Sequence, residues 1–152
     1  MLHQVGLFFH ILAVLLVGAG GIGGAIVEHQ FWKYIEVGSP QAKALLPILK
    51  TTGKFIMAGI VIFLVSGLIM LYSTNWIFLT QTWFIVKFLL FLSLPVRAAM
   101  IAKPTFKTIG AEISSANTDP GALAGLRSKL KRFHIIQYGI VLIIVFLVIF
   151  KI

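Results

Sequence analysis

Residues 55–72, FIMAGIVIFLVSGLIMLY, decide the fold, because they form a long apolar stretch without a single charged side chain. About 20 apolar residues in a helix cross the ~30 Å hydrocarbon layer of a bilayer. Inside that layer each backbone donor and acceptor must be paired within the protein, and a helix pairs them within one segment. The stretch therefore predicts a transmembrane helix.

Three other stretches have the same character, and the four predicted helices cover about residues 5–27, 55–72, 78–102 and 135–150. Of the 152 residues, 59% are apolar and 11% are charged, whereas soluble domains carry about 25% charged residues. We therefore expect one transmembrane domain over residues 1–152, an all-α integral membrane four-helix bundle.

Lysine and arginine are concentrated in two of the three connections between the predicted helices. Residues 28–54 and 97–132 contain eleven of the thirteen, and residues 73–82 contain none. Because positively charged connections stay on the cytoplasmic side, we expect 28–54 and 103–134 to be cytoplasmic and both termini to lie on the outer side of a bacterial inner membrane. The net charge of +9 then indicates membrane lipids as a partner, and not nucleic acid.

Parts of the two cytoplasmic connections should themselves be helical. Ser39 followed by Pro40 is typical of a helix start, so residues 41–50 are predicted to form a short interfacial helix. Residues 121–132 have a basic amphipathic pattern that continues toward the fourth predicted helix.

His10 lies about five residues into the first predicted helix. Ionisable residues inside a span are functional suspects, because placing them there costs several kcal/mol. A neutral imidazole can ligate haem iron or another metal, carry a proton, or simply hydrogen-bond across the bundle. His3 is seven residues earlier, so it shares the helix face of His10 and is expected at the water boundary.

Lys87 lies within the third predicted helix, nearer its outer end, so it and His10 share the outer half of the bilayer. Its long stem allows the ammonium group to reach the outer headgroups. If it faces the bundle instead, it can hold a carboxylate such as a haem propionate. Arg97 follows Pro95 near the inner end of the same helix, where it reaches the headgroups or binds a lipid phosphate or a propionate.

His29 and His134 lie at the cytoplasmic ends of the first and fourth predicted helices. Two histidines at matching depths on facing helices can form a bis-imidazole haem site or half of a metal site. Glu28 can orient one of the rings or add an oxygen ligand. Histidine at a headgroup boundary is also ordinary without any such role.

Gly20 and Gly24 have the spacing at which a second helix can approach closely. Helix packing and the close approach of a flat cofactor both explain this pair, and Ser66-Gly67 of the second predicted helix is a candidate meeting point.

Several classes of function are excluded or disfavoured. The absence of cysteine excludes disulfides and thiolate metal sites. No aspartate or glutamate lies within a predicted span, which disfavours a carboxylate-driven pump or antiporter. There is no HExxH or Walker motif, and the sequence assigns no catalytic residue.

Short motifs resemble a bacterial superfamily that includes the copper-resistance D-type proteins and the HemJ-type protoporphyrinogen oxidases. The first helix, with Leu7-Phe-Phe-His10, resembles the opening helix of that superfamily, and Ser66-Gly67-Leu resembles its second helix. Trp83, four residues before Lys87, is similar to its Trp-x-x-x-Lys pattern. The resemblance extends over all four helices.

Two differences from that superfamily indicate a divergent branch. Val17 stands where a tryptophan is common, and residues 89–100 lack the histidine expected later in the third helix.

The resemblance implies a haem b-binding membrane redox protein that exchanges electrons with a quinone or porphyrin partner. His10 would be the axial ligand to the haem iron and Lys87 an electrostatic partner, with His29 and His134 as second candidates. The alternative is a non-enzymatic membrane subunit or a small-solute or metal transporter. Copper is disfavoured, because the chain lacks cysteine and clustered methionines. In each case we expect a homo-oligomer or a part of a larger membrane complex.

Overall fold

The structure is a computed structural model that describes residues 1–115 and 119–150. The regular elements of this part of the chain are, in order, α1 (Leu2–Glu36), α2 (Gln41–Ser73), a 3₁₀ turn (Ile77–Thr80), α3 (Thr82–Arg97), a π-helical turn (Ala98–Ala102), α4 (Lys103–Ser114) and α5 (Pro120–Phe150). Because α3, the π-helical turn and α4 form one continuous run, four helical runs are long and apolar enough to cross a membrane. The predicted all-α fold with four apolar helices is confirmed.

The chain divides into two compact units, Met1–Ile77 and Phe78–Ile152. The first unit contains the α1–α2 pair. The second contains the run from α3 to α4, together with α5. The membrane sides of the termini and connections stay predictions.

The helices continue well beyond the predicted spans. α1 has 35 residues and α2 has 33, so each is about 50 Å long and exceeds a ~30 Å hydrocarbon layer. Within the connection 28–54, only residues 37–40 are non-helical. Alanine, leucine, lysine and glutamine in residues 41–54 are strong helix formers, and α2 continues through them despite the missing backbone N–H of Pro47.

Both long helices of the first unit end in the same hydrogen-bonded motif. Gly38 has φ +63° at the end of α1, with its N–H donating to Ile35 and that of Ser39 donating to Tyr34. Asn75 has φ 52° after α2. A left-handed residue at this position lets its own N–H and that of the next residue satisfy the last helical carbonyls. The Oγ of Ser39 then accepts from the N–H of Gln41 at 3.3 Å and helps to start α2.

Small residues allow α1 and α2 to pack closely. A Cβ added at Gly59 would lie 2.8 Å from Cγ2 of Val17, and one added at Gly20 would lie 2.8 Å from Cγ1 of Ile56. At Gly24 the nearest atom would be 3.2 Å away. The close approach of a second helix at Gly20 and Gly24, predicted from their spacing, is therefore observed.

In the second unit α5 contacts both α3 and α4. The buried residues of α4 recur every four positions along one face, and they are Thr105, Ile109 and Ile113. The π-helical turn contains a hydrogen bond from the N–H of Lys103 to the carbonyl of Ala98. Pro104 follows directly and has no N–H to donate, so the wide turn lies where the regular hydrogen-bond ladder is already interrupted.

Candidate functional site

His10 of α1 is held by one turn of α2. Its Nδ1 lies 3.0 Å from the Oγ of Ser66, a side chain that is 1% exposed. The imidazole packs against Phe63, with ring centroids 3.8 Å apart and planes inclined by 34°. A Cβ added at Gly67 would lie 3.5 Å from Cε1 of the imidazole. The candidate meeting point Ser66-Gly67 is thus where His10 meets α2.

The hydrogen bonds of Ser66 determine which nitrogen of His10 carries the proton. The Oγ of Ser66 lies 3.0 Å from the carbonyl oxygen of Phe63, and because a carbonyl only accepts, the single hydroxyl hydrogen is donated there. With that hydrogen donated to Phe63, Ser66 is an acceptor toward His10, which assigns the proton of a neutral His10 to Nδ1. In a neutral imidazole the lone pair then belongs to Nε2, the atom that can bind a metal or take up a proton.

The same arrangement recurs two helical turns away. Nδ1 of His3 lies 3.0 Å from the Oγ of Ser73, and Ser73 donates to the carbonyl of Met70 at 2.7 Å. His3 is exposed, whereas His10 is partly buried. The sequence contains a signal for this repeat, because both histidines and both serines are seven residues apart. Sequence analysis found the histidine pair and missed Ser73.

Lys87 makes its contacts within its own helix. Its Nζ lies 4.9 Å from the ring centroid of Trp83 and 4.7 Å from that of Phe84, and the side chain is partly buried. Both rings offer a negative π face to the ammonium group. The side chain bends toward the start of α3, the direction expected of long side chains in a helix. Lys87 and His10 belong to different units, so their pairing stays a prediction.

His29 and His134 also belong to different units, and a site that combines them stays a prediction. His29 is exposed on α1. His134 is partly buried and lies beside two aromatic rings of α5, at centroid distances of 5.3 Å to Phe133 and 6.2 Å to Tyr138. Across residues 1–115 and 119–150, no three His, Cys, Asp or Glu side chains gather as a metal site.

The sequence predicts that Glu28 orients a histidine ring or adds an oxygen ligand. Its Oε1 accepts a hydrogen bond from Nε1 of Trp32 at 3.4 Å. Trp32 lies one turn further along α1 and is 6% exposed. This carboxylate oxygen therefore helps to satisfy a buried indole.

Arg97 and Gln137 are polar residues of the second unit whose surroundings sequence analysis did not predict. The Nε of Arg97 and the Oε1 of Gln137 are buried and lack hydrogen-bond partners in the described part of the chain. Nε2 of Gln137 donates to the carbonyl of Leu94 at 3.3 Å. Gln137 gave no signal of its own, because a single glutamine in an apolar helix does not reveal which helix it faces.

Comparison with known proteins supports a membrane protein. A family described as "Predicted integral membrane protein (DUF2269)" matches residues 5–152. No curated protein and no solved structure matches the chain. Because the family match includes all four apolar helices, the chain belongs to the DUF2269 family of integral membrane proteins.

Proposed function

We propose that the protein is a haem b-binding membrane redox protein in which Nε2 of His10 is an axial ligand to the iron. The observation that supports the proposal is the pair of hydrogen bonds at Ser66, which place the proton of His10 on Nδ1. Histidines that bind metals commonly donate their other ring N–H to a neighbouring acceptor, which fixes the tautomer and the ring orientation. His10 has the same arrangement with a serine as the acceptor.

The residues around His10 fit this role in their chemistry. A neutral imidazole is the form that ligates iron, and the Nδ1–H tautomer leaves the lone pair on the nitrogen at the far side of the ring. The close packing of Phe63 limits the rotation of the imidazole. Ser66 is almost fully buried, so water does not compete strongly for its Oγ.

A bound haem would supply one-electron chemistry, and the chain would supply the ligand, its orientation and the surrounding charge. In this proposal His10 holds the iron, Ser66 orients the imidazole, and the ammonium group of Lys87 pairs with a propionate. His29 and His134 remain second candidates for ligation. A quinone or a porphyrin would be the electron-exchange partner, and no residue is assigned a catalytic role.

An assignment to a particular superfamily of membrane proteins is part of the same proposal. The likeness of the motifs around His10 and Lys87 to the copper-resistance D and HemJ-type superfamily supports a divergent branch of that group. The concentration of basic residues in 28–54 and 97–132 supports a bacterial inner membrane location with both termini outside. A homo-oligomer or a larger membrane complex would cover helix surface that one chain leaves exposed.

The test is an absorption spectrum of the detergent-purified protein, oxidised and then reduced with dithionite, after equilibration with haem. A Soret band and a sharp α band are expected in the parent and are expected to be lost or shifted in His10→Ala. His3→Ala is the matched control, because it removes an exposed histidine with the same kind of serine contact from the same helix. A folded parent that stays colourless after haem addition contradicts the proposal and favours a non-enzymatic subunit or a transporter.

A further inference from the structure

A second group of buried polar atoms lies in the other unit, where α5 packs on α3. The Nε of Arg97 and the Oε1 of Gln137 are buried, and no residue in 1–115 or 119–150 gives either atom a hydrogen bond. Leaving buried polar atoms unpaired is costly, most of all for a charged group. Such atoms in a native structure indicate a hydrogen-bond partner from outside the chain, such as a water molecule, an ion or a ligand.

Gln137 is hydrogen-bonded to the turn of α3 that ends at Arg97. Nε2 of Gln137 donates to the carbonyl of Leu94 at 3.3 Å, and helix carbonyls point toward the C-terminal end. That carbonyl therefore points into the turn that contains Arg97. The same hydrogen bond fixes the orientation of the amide, because a flipped Gln137 would set Oε1 against the carbonyl oxygen. This turn thus presents one donor and one acceptor.

Arg97 also carries a charge that its own unit does not neutralise nearby. The sequence has no aspartate or glutamate between Glu36 and Glu112. Glu112 is fifteen residues beyond Arg97, roughly 22 Å along a helix. A guanidinium group at the end of an apolar helix is stabilised by an anion that its fork of donors can grip. Ordered water would satisfy the unpaired atoms but would not neutralise this charge.

We infer that Arg97 and Gln137 bind a ligand that combines an anionic phosphate oxygen with a neighbouring hydroxyl group. The phosphate oxygen would accept from Nε of Arg97 and neutralise its charge. The hydroxyl would donate to Oε1 of Gln137. Both residues are partly exposed, whereas the two unpaired atoms are buried, so the ligand would have to displace the side chains that cover these atoms.

The backbone beside Arg97 supports the same inference. The π-helical turn Ala98–Ala102 begins at the next residue, and π-helical turns are frequent at functional sites. The required chemistry occurs in a phospholipid headgroup that carries a glycerol and in free hydrogen phosphate. The site belongs to the second unit and does not depend on haem binding at His10.

Lipid binding to the full chain, followed by native mass spectrometry in a neutral detergent, tests the inference. Phosphatidylglycerol has the anionic phosphate and the hydroxyl groups, phosphatidylmethanol has only the anionic phosphate, and phosphatidylcholine has neither the net charge nor the hydroxyl. We expect affinity to fall in that order. Inorganic phosphate at millimolar concentration is the competitor: if it displaces phosphatidylglycerol, free phosphate is the source, and if it does not, the lipid headgroup is.

Two variants separate the roles of the side chains. Arg97→Lys keeps the charge and removes Nε, and is expected to weaken phosphatidylglycerol binding roughly tenfold or more. Gln137→Leu is expected to abolish the preference for phosphatidylglycerol over phosphatidylmethanol. Both lipids should still bind through the anionic phosphate that they share. Arg132→Gln, which removes an exposed charge from α5, is the matched control and should change neither.

Circular dichroism confirms that each variant is folded before binding is measured. Arg97→Lys is conservative, so the test remains possible if a larger change at this position prevents folding. Equal phosphatidylglycerol affinity in the parent, Arg97→Lys and Gln137→Leu would overturn the inference and leave ordered water as the partner of both atoms. The same conclusion would follow if the three lipids bound the parent equally well.

Discussion

The imidazole of His10 and the hydroxyl of Ser66 lie 3.0 Å apart across the α1–α2 interface. This contact joins two residues that are 56 positions apart in the sequence, and it gives Nδ1 of the partly buried imidazole a hydrogen-bond partner. The same hydroxyl donates to a carbonyl of its own helix. The tautomer of His10 therefore depends on Ser66, and Ser66 reaches the imidazole only in the observed register of α1 against α2.

Replacing Ser66 with alanine should destabilise the protein by about 1–3 kcal/mol, because Nδ1–H of His10 loses its buried acceptor. Ser93→Ala is the matched control. Ser93 donates to the carbonyl of Leu90 in its own helix, so its loss should cost no more than about 0.5 kcal/mol. The free energy of unfolding in detergent measures both, and equal losses would show that the contact with His10 adds nothing.

The haem proposal makes a separate prediction for Lys87. Lys87→Gln should weaken haem retention several-fold, because an ammonium group that pairs with a propionate is lost, while Lys87→Arg should retain most of the binding. Lys103→Gln removes an exposed lysine and serves as the control. Haem titration followed at the Soret band gives the affinities. Unchanged affinity in Lys87→Gln would remove Lys87 from the proposed site and leave its contacts with Trp83 and Phe84 as its role.

Close helix packing predicts different outcomes for two glycines of the first unit. Gly59→Ala places a Cβ 2.8 Å from Cγ2 and 3.4 Å from the backbone nitrogen of Val17. The backbone cannot move aside cheaply, so overpacking should cost about 1–3 kcal/mol. Gly21→Ala meets nothing within 4 Å and should be neutral or stabilising. Thermal unfolding followed by circular dichroism distinguishes them, and a tolerated Gly59→Ala would contradict the observed interface.

The turn between α1 and α2 depends on a left-handed residue. Gly38→Ala should lower the free energy of unfolding by about 1 kcal/mol, because a Cβ at φ +63° is strained. Gly53→Ala adds the same methyl group at a helical position with open space and is not expected to destabilise. Denaturant titration of both variants provides the measurement. If the two variants behave alike, the turn does not require this conformation.

Because the sequence contains no cysteine, a cysteine introduced at one position is the single thiol of the protein, and its labelling reports the membrane side of that position. Thr80→Cys lies in the uncharged connection and should react with a membrane-impermeant maleimide in intact cells. Ser128→Cys, exposed on α5 within a basic connection, should react only after permeabilisation. The opposite labelling pattern would place the termini on the cytoplasmic side and reverse the proposed orientation.

The sequence predicts the spanning parts of the fold well, because lipid demands an apolar stretch of defined length. It predicts the helix ends poorly, because outside the lipid a helix continues until a residue such as Gly38 ends it. Residues 41–54 show the difference: their charges indicate a connection, and their helix-forming side chains extend α2 through them.

The candidate site was predictable in part. His10 stands out because an ionisable residue in an apolar stretch is costly, and the glycines of α1 indicate close packing. Ser66 was recognised only as a packing position, because its role as an acceptor depends on the register of α2 against α1. Arg97 and Gln137 show the same limit, since their unpaired atoms appear only when α5 is placed on α3.

The π-helical turn Ala98–Ala102 shifts the phase of the helical repeat within the run Thr82–Ser114. A wide turn holds about one residue more than an α-helical turn, so side chains beyond it are rotated by roughly 100° about the helix axis. The buried face of α4, with Thr105 and Ile109, is therefore set independently of the faces of α3. Before the turn, contact with lipid constrains the side chains on one face of the helix. After the turn, packing within the basic segment constrains the side chains on a different face. Deleting a single residue from this turn would restore one regular α-helical repeat through the run. The buried face of α4 would then be rotated away from the residues that it packs against.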